Sequence, residues 1–242
     1  MQKGRKILVE ALEILKVPIT EEAINKTIEF VERFYLVNQK FNLSAHKSRE
    51  EILVNLVIDS LTILVVDSFA TVRLEKIIDV GSGGGIPGIP LAIFKPETRV
   101  TLLESKGKKC FFLKEVIAEL GLNNAKVICA RAEEAARKKP LRESFDAVLS
   151  KALAPLNIAL EITTPFLKPG NSAFYYKGPR YLVELKEAEG ALEVLGCKVK
   201  KIWEIEVPWI KRKNYLIEIK KCTPTPSSLP RRAGIPQKKP LP

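Results

Sequence analysis

Apolar positions along this 242-residue chain change their period near residue 70. Before that point they recur at helical spacing. Thr20, followed by Glu21 and Glu22, predicts an N-cap with acids in the first turn, and Ile24, Ile28, Val31 and Tyr35 then mark one helix face to about Gln39. Ser48 with Glu51 three residues on forms a capping box, predicting a second helix that carries Ile52, Leu53, Leu56 and Val57. Nothing before residue 70 alternates as a strand does, so residues 1–70 read as a helical cap on a larger body.

From Leu74 short apolar runs alternate with amphipathic segments. Strands are predicted at Lys76–Val80, Arg99–Leu103, Lys126–Ala130, Phe145–Ser150 and Ser172–Tyr176, with Lys198–Val207 and Tyr215–Ile219 closing the sheet as a hairpin. Helices are predicted at Gly88–Phe94, at Lys108–Leu120 with Gly121 at its C-terminal end, at Pro155–Leu167 and at Tyr181–Leu195. This alternation predicts an α/β fold of right-handed βαβ units, with a mostly parallel seven-stranded sheet over residues 71–222. After Cys222 the chain turns rich in proline and cations, so residues 223–242 are expected to form an extended tail outside the core.

Charge adds a partner class. The formal net charge is +12, and half of it comes from Lys220, Lys221, Arg231, Arg232, Lys238 and Lys239 in a C-terminal stretch without acids. Such asymmetry suits a polyanion, nucleic acid before an acidic membrane surface, with a solubilising tail as the plain alternative. The longest apolar run, Leu53 to Val66, is interrupted by Asn55, Asp59 and Ser60 and is too short to span a bilayer. Glu10 and Glu13 break the apolar stretch that a signal peptide needs. Four scattered cysteines and a single histidine, His46, argue against a metal site and against a disulfide framework. A cytoplasmic monomer is the expectation.

The candidate chemistry lies after the first strand, in IIDVGSGGGIPGIPL (Ile77–Leu91). Glycines at 81, 83, 84 and 85 let backbone approach a ligand closely. Gly83, Gly85 and Gly88 match the dinucleotide fingerprint, but counting from Gly81 the third position is Ile86. Asp79 at the strand end fits better the amino-acid end of S-adenosylmethionine (SAM); a dinucleotide site and a purely structural turn stay open. Glu104 ends the second strand, where an acid accepts from both hydroxyls of a ribose, and Arg131-Ala132-Glu133-Glu134 follows the third, where an adenine would be met. The fourth turn, Ser150-Lys151-Ala152, is the target side, and it lacks both an Asn/Asp-Pro-Pro-aromatic motif and a Pro-Cys nucleophile.

The sequence resembles the RsmG (GidB) family of bacterial small-subunit rRNA guanine-N7 methyltransferases. The resemblance is carried by FNLSA (Phe41–Ala45), IDS (Ile58–Ser60), IIDVGSGGGIPGIPLAI (Ile77–Ile93), LLES (Leu102–Ser105), RAEE (Arg131–Glu134), SKALA (Ser150–Ala154), YKG (Tyr176–Gly178) and LPRRAGIPQKKPL (Leu229–Leu241). It implies a helical extension on a Rossmann-like SAM domain acting on 16S rRNA of the small ribosomal subunit, with cofactor contacts at Gly81, Ile86, Glu104, Ser105, Lys106, Ala132, Glu133 and Lys151. Asp79, Gly83 and Gly85 join these from the loop reading. Lys151 stands where the family usually has arginine, and Leu56 where many members have histidine. Ser150 and Lys151 are candidate substrate-side groups, no general base is expected, and Arg231, Arg232, Lys238 and Lys239 are candidate RNA contacts. Asp59, inside an apolar helix, is either a packing residue joining cap to domain or a substrate-side group. The alternatives are a non-catalytic RNA-binding assembly factor with a retained SAM pocket and a nicotinamide-dependent oxidoreductase.

Overall fold

The computed structural model describes residues 2–70, 74–210 and 213–242, with only the backbone described at Ser68 and Ala70. The expected boundary between cap and domain, at residues 70 and 71, abuts residues 71–73, which lie outside the described ones. The cap contains α1 (Gln2–Ile14), α2 (Glu21–Asn38), α3 (Arg49–Ile52), α4 (Asp59–Leu61) and α5 (Asp67–Ala70). The Thr20 hydroxyl accepts the Ala23 N–H at 3.1 Å, and both halves of the Ser48–Glu51 capping box form. The second helix is less regular than its periodicity predicts. Between α3 and α4 it widens into a π-helical segment, Leu53–Ile58, and beyond α4 it tightens into a 3-10 turn, Thr62–Val65. Hydrogen bonds from outside the ladder explain the widening: Lys151 Nζ donates to the carbonyls of Asn55 and Leu56, and Ser60 Oγ to that of Leu56.

The sheet comprises β1 (Lys76–Val80), β2 (Arg99–Glu104), β3 (Ala125–Cys129), β4 (Phe145–Lys151), β5 (Leu167–Lys177), β6 (Cys197–Glu204) and β7 (Tyr215–Lys221). Its order is β3-β2-β1-β4-β5-β7-β6. The first five strands pair in parallel, and β7 runs antiparallel between β5 and β6. This is the Rossmann-like α/β fold with a C-terminal hairpin that the strand alternation predicts. The intervening helices are α6 (Gly88–Phe94), α7 (Gly107–Glu119), α8 (Ala132–Ala135), α9 (Leu156–Thr163), α10 (Tyr181–Glu187), α11 (Glu189–Val194) and α12 (Ile235–Lys238). Two apolar clusters flank the sheet. One joins the cap to α6 and α7, with Phe34 edge-on to Phe112 at 6.1 Å between ring centroids; the other joins α9 and α11 to the opposite face.

Several expectations are corrected. The helix expected over Pro155–Leu167 ends at Thr163, and a 3-10 turn leads into β5, which starts at Leu167. Pro165 lacks a donor and disfavours helical geometry before it, while the Thr163 and Thr164 hydroxyls return to carbonyls one turn back at 2.7 and 2.8 Å. The helix expected over Tyr181–Leu195 breaks at Ala188. Residues 223–242 do not extend away from the body. Leu229 and Pro230 are buried, and Arg142 donates to the carbonyls of Thr225, Pro226 and Leu229 at 2.8–3.0 Å. Lys221, counted above with the basic C-terminus, is fully buried on Glu143 and two backbone carbonyls. Finally, Cys110 on α7 and Cys129 at the end of β3 form a disulfide with Cα atoms 5.8 Å apart. The β2–α7–β3 crossover lays the first turn of the helix beside the neighbouring strand end, a proximity hidden by 19 residues of sequence separation.

Candidate active site

The C-terminal ends of β1 to β4 open into a cavity of about 580 Å³. Its floor is the glycine loop. Gly81 has φ +75°, and a Cβ there would lie 2.5 Å from the Leu153 side chain, which also lines the cavity. A Cβ at Gly84 would strike the Phe34 ring of α2, so this glycine lets the cap close onto the loop. Gly83 and Ile86 line the cavity, whereas Gly85 faces Ile89 and Leu113 beneath it.

Asp79 does not line the cavity. Its side chain is fully buried under the loop, where Oδ2 accepts the Gly88 N–H at 3.0 Å and Oδ1 has no partner. Burial pushes its carboxyl up to about 7. Its contact is therefore to the start of α6. Ser150 is also buried and away from the cavity.

Glu104 sits at the wall with both carboxylate oxygens fixed. Oε2 accepts the Gly83 N–H at 2.9 Å, and Oε1 accepts those of Ser105 and Lys106 at 2.8 Å. Three backbone donors hold one rotamer and leave a lone pair of Oε2 for a ligand. Ser105 and Lys106 line the rim beside it, as do Ala132 and Glu133 across the next turn. Glu133 accepts from Arg131 at 2.9 Å, from the Gly234 N–H at 3.3 Å and from Gln237 at 3.4 Å. Burial raises its carboxyl, but hydrogen bonds from its own backbone amide, Arg131 and Gly234 outweigh that and hold it below the ordinary value.

Lys151 lines the cavity from the end of β4, but its ammonium points into the cap. It lies 2.5 Å from Asp59 Oδ2, while Asn214 donates to Asp59 Oδ1 at 2.8 Å. Both charged side chains are more than nine-tenths buried.

The sequence reading missed two walls. One is the cap loop carrying Leu43, Ser44, Ala45 and His46. Buried Asn38 shapes it, accepting the N–H groups of Leu43 and Ser44 at 2.8 and 2.9 Å and donating to the His46 carbonyl at 2.7 Å. The aperiodic FNLSA run was the available signal. The other is Gln237 of the C-terminal segment, for which composition gave no signal. Among the candidate RNA contacts, Arg231 clamps the fully buried Glu161 through Nε and a terminal nitrogen at 2.9 and 2.6 Å, whereas Arg232, Lys238 and Lys239 are exposed. No helix of the described residues is long and apolar enough to cross a membrane.

A 235-residue alignment with the ribosomal RNA small subunit methyltransferase G of Alkaliphilus oremlandii is 37% identical and covers 97% of this chain and 98% of that protein. The protein of the same name from Moorella thermoacetica is 42% identical over 84% of each chain. Among solved structures, a Klebsiella pneumoniae protein described provisionally as an O-methyltransferase superposes with a TM-score of 0.59 at 13% identity, over 89% of this chain and 94% of that one, a likeness of fold alone. Residues 23–214 match the GidB profile, described as rRNA small subunit methyltransferase G, and with relatives of this identity and coverage the chain belongs to that family.

Proposed function

We propose that this protein transfers a methyl group from SAM to N7 of a guanosine in the 16S rRNA of the small ribosomal subunit. The observation that carries the reading is the pair of acids, Glu104 and Glu133, fixed by backbone donors on adjacent walls of one cavity above a glycine floor. That pair of acceptors fits an adenosyl ligand, Glu104 taking ribose hydroxyls and the Ala132–Glu133 turn meeting the adenine. Gly81, Gly83 and Ile86 would face its amino-acid end. The same geometry disfavours a dinucleotide. A pyrophosphate would need the start of α6, but Asp79 already occupies the Gly88 N–H there.

Bound SAM supplies a methyl group activated by a sulfonium. Guanine N7 presents an in-plane lone pair and carries no proton, so the protein has no proton to remove and its task is alignment, which can lower a barrier by roughly 7–11 kcal/mol. Phe34, Leu43, Leu56 and Ile162 line the cavity with apolar surface that excludes water. Lys151 acts as a positioning residue, holding the cap to the end of β4 through Asp59. Arg232, Lys238 and Lys239 face outward for phosphate contacts, which would position the RNA without reading its sequence.

Incubation with labelled SAM and either unmethylated small subunits or naked 16S rRNA tests the reading. Label on one guanine N7 is expected, and Glu104→Ala should weaken SAM binding while RNA binding persists. RNA binding without methyl transfer would assign a non-catalytic assembly role, and binding of NAD(H) in place of SAM would assign an oxidoreductase.

A further inference from the structure

We propose that Phe111, on the outer face of α7, is a stacking platform for an unpaired base of the RNA substrate, flanked by Lys108 and Lys114 as phosphate contacts. Phe111 is 64% exposed although its neighbours Cys110 and Phe112 are buried. Lys108 and Lys114 lie three residues to either side, which places all three side chains on one helix face, and both lysines are exposed. The acids of α7 already have a partner: Glu115, one turn on from Phe111, and Glu119 both pair with Arg33 of α2. Neither Lys108 nor Lys114 pairs with a described acid, and Glu115 on the same face is balanced by Arg33, so two cations remain beside the ring.

The platform lies on the outer side of the helix whose first turn borders the cavity. Lys106 and Lys109 line the cavity rim, whereas Phe111, two residues beyond Lys109, is turned roughly 200° around the helix and faces away from the cavity. The Cys110–Cys129 bridge and buried Phe112 hold the turn rigid. Unpaired bases stack on exposed aromatic rings while cations take the adjoining phosphates, the usual way proteins engage single-stranded RNA. A protein partner fits less well, because one ring among lysines offers far less apolar area than a stable protein interface buries. Because Phe111 does not line the cavity, it would hold a nucleotide outside the target's own site and not the target itself.

This inference rests on the RNA reading above, and the test separates the two. Wild-type protein, Phe111→Ala, Phe111→Leu and Phe111→Trp are compared on unmethylated 16S rRNA. The Ala and Leu variants should both raise KM for RNA about 5- to 150-fold, with kcat and SAM affinity unchanged. The Trp variant should retain affinity, and its added fluorescence should be quenched on RNA binding, measured against the signal of Trp203 and Trp209 in the wild type. Lys108→Gln with Lys114→Gln should flatten the log K against log[salt] slope by about 1.4. Wild-type RNA affinity in Phe111→Ala would overturn the platform. Wild-type affinity in Phe111→Leu would overturn stacking in favour of an apolar contact. RNA binding that depends on Phe111 without methyl transfer would uphold the platform and remove the activity. Absence of RNA binding by the wild type would remove both.

Discussion

Lys151 Nζ lies 2.5 Å from Asp59 Oδ2, an ion pair that ties the end of β4 to the start of α4 in the N-terminal cap. A lysine at the cavity wall is thereby committed to internal structure. Its contacts with the Asn55 and Leu56 carbonyls point the same way.

Breaking that pair from one side should be costly. Asp59→Ala leaves a buried ammonium without its carboxylate, and Lys151→Met leaves a buried carboxylate without its ammonium; each should destabilise by about 3–5 kcal/mol. The double variant should cost clearly less than the sum, because the uncompensated charge is gone. Urea unfolding of the four proteins measures this, and additive losses would refute the coupling.

Asp79 predicts a pH dependence. Its folded pKa of about 7 lies above the ordinary value of 3.8, so the fold binds this proton more tightly than the unfolded chain does. Its contribution is most favourable below pH 4, falls as pH rises from about 4 to 7 and is flat above that. Asp79→Asn keeps an acceptor for the Gly88 N–H and removes the titration. Its stability relative to wild type should rise across that window by up to about 4 kcal/mol, read from urea midpoints at pH 4.5, 6 and 8. A difference independent of pH would assign the proton elsewhere.

The Arg231–Glu161 clamp predicts that the C-terminal segment supports the cofactor site. Arg231→Ala strands a fully buried carboxylate and should cost about 3–5 kcal/mol. It should also weaken SAM binding, because Gly234 and Gln237 reach Glu133 only from a docked segment. Calorimetry should show a milder loss in Gln237→Ala, at unchanged stability. Neutralising Arg232, Lys238 and Lys239 together should leave stability alone and flatten the salt slope of RNA binding by about 2.

The Cys110–Cys129 bridge predicts two reactive thiols after unfolding without reductant, from Cys197 and Cys222, and four after reduction. Closing a loop of this length is worth about 3 kcal/mol, so reduction should lower the urea midpoint accordingly. Four thiols in the unreduced protein would show that the bridge does not form.

Much of the fold was legible because strand and helix periods, caps and glycine turns act locally. Thr20, Ser48 with Glu51, and Gly121 mark helix ends where the sequence places them. The cavity lining was legible where it follows strand ends, as at Glu104 and Glu133. It was misread where a residue's direction depends on distant packing. Asp79 belongs to the right loop but turns under it. Lys151 stands at the right strand end but reaches into the cap, and its partner Asp59 lies 92 residues away.

The sequence alone determined the α/β alternation, the glycine-floored loop, the acids at successive strand ends and the excess of positive charge, since each depends on residue type at short spacing. Tertiary structure decided which of those charges face outward. Burial neutralised Lys221 and Arg231 against Glu143 and Glu161, and docked the C-terminal segment beside Glu133. It turned Glu115 and Glu119 towards Arg33, leaving Phe111 and its lysines on the surface. An unpaired buried charge is too costly to leave, so where long-range packing finds each ion a partner, it also fixes which ions remain to meet RNA.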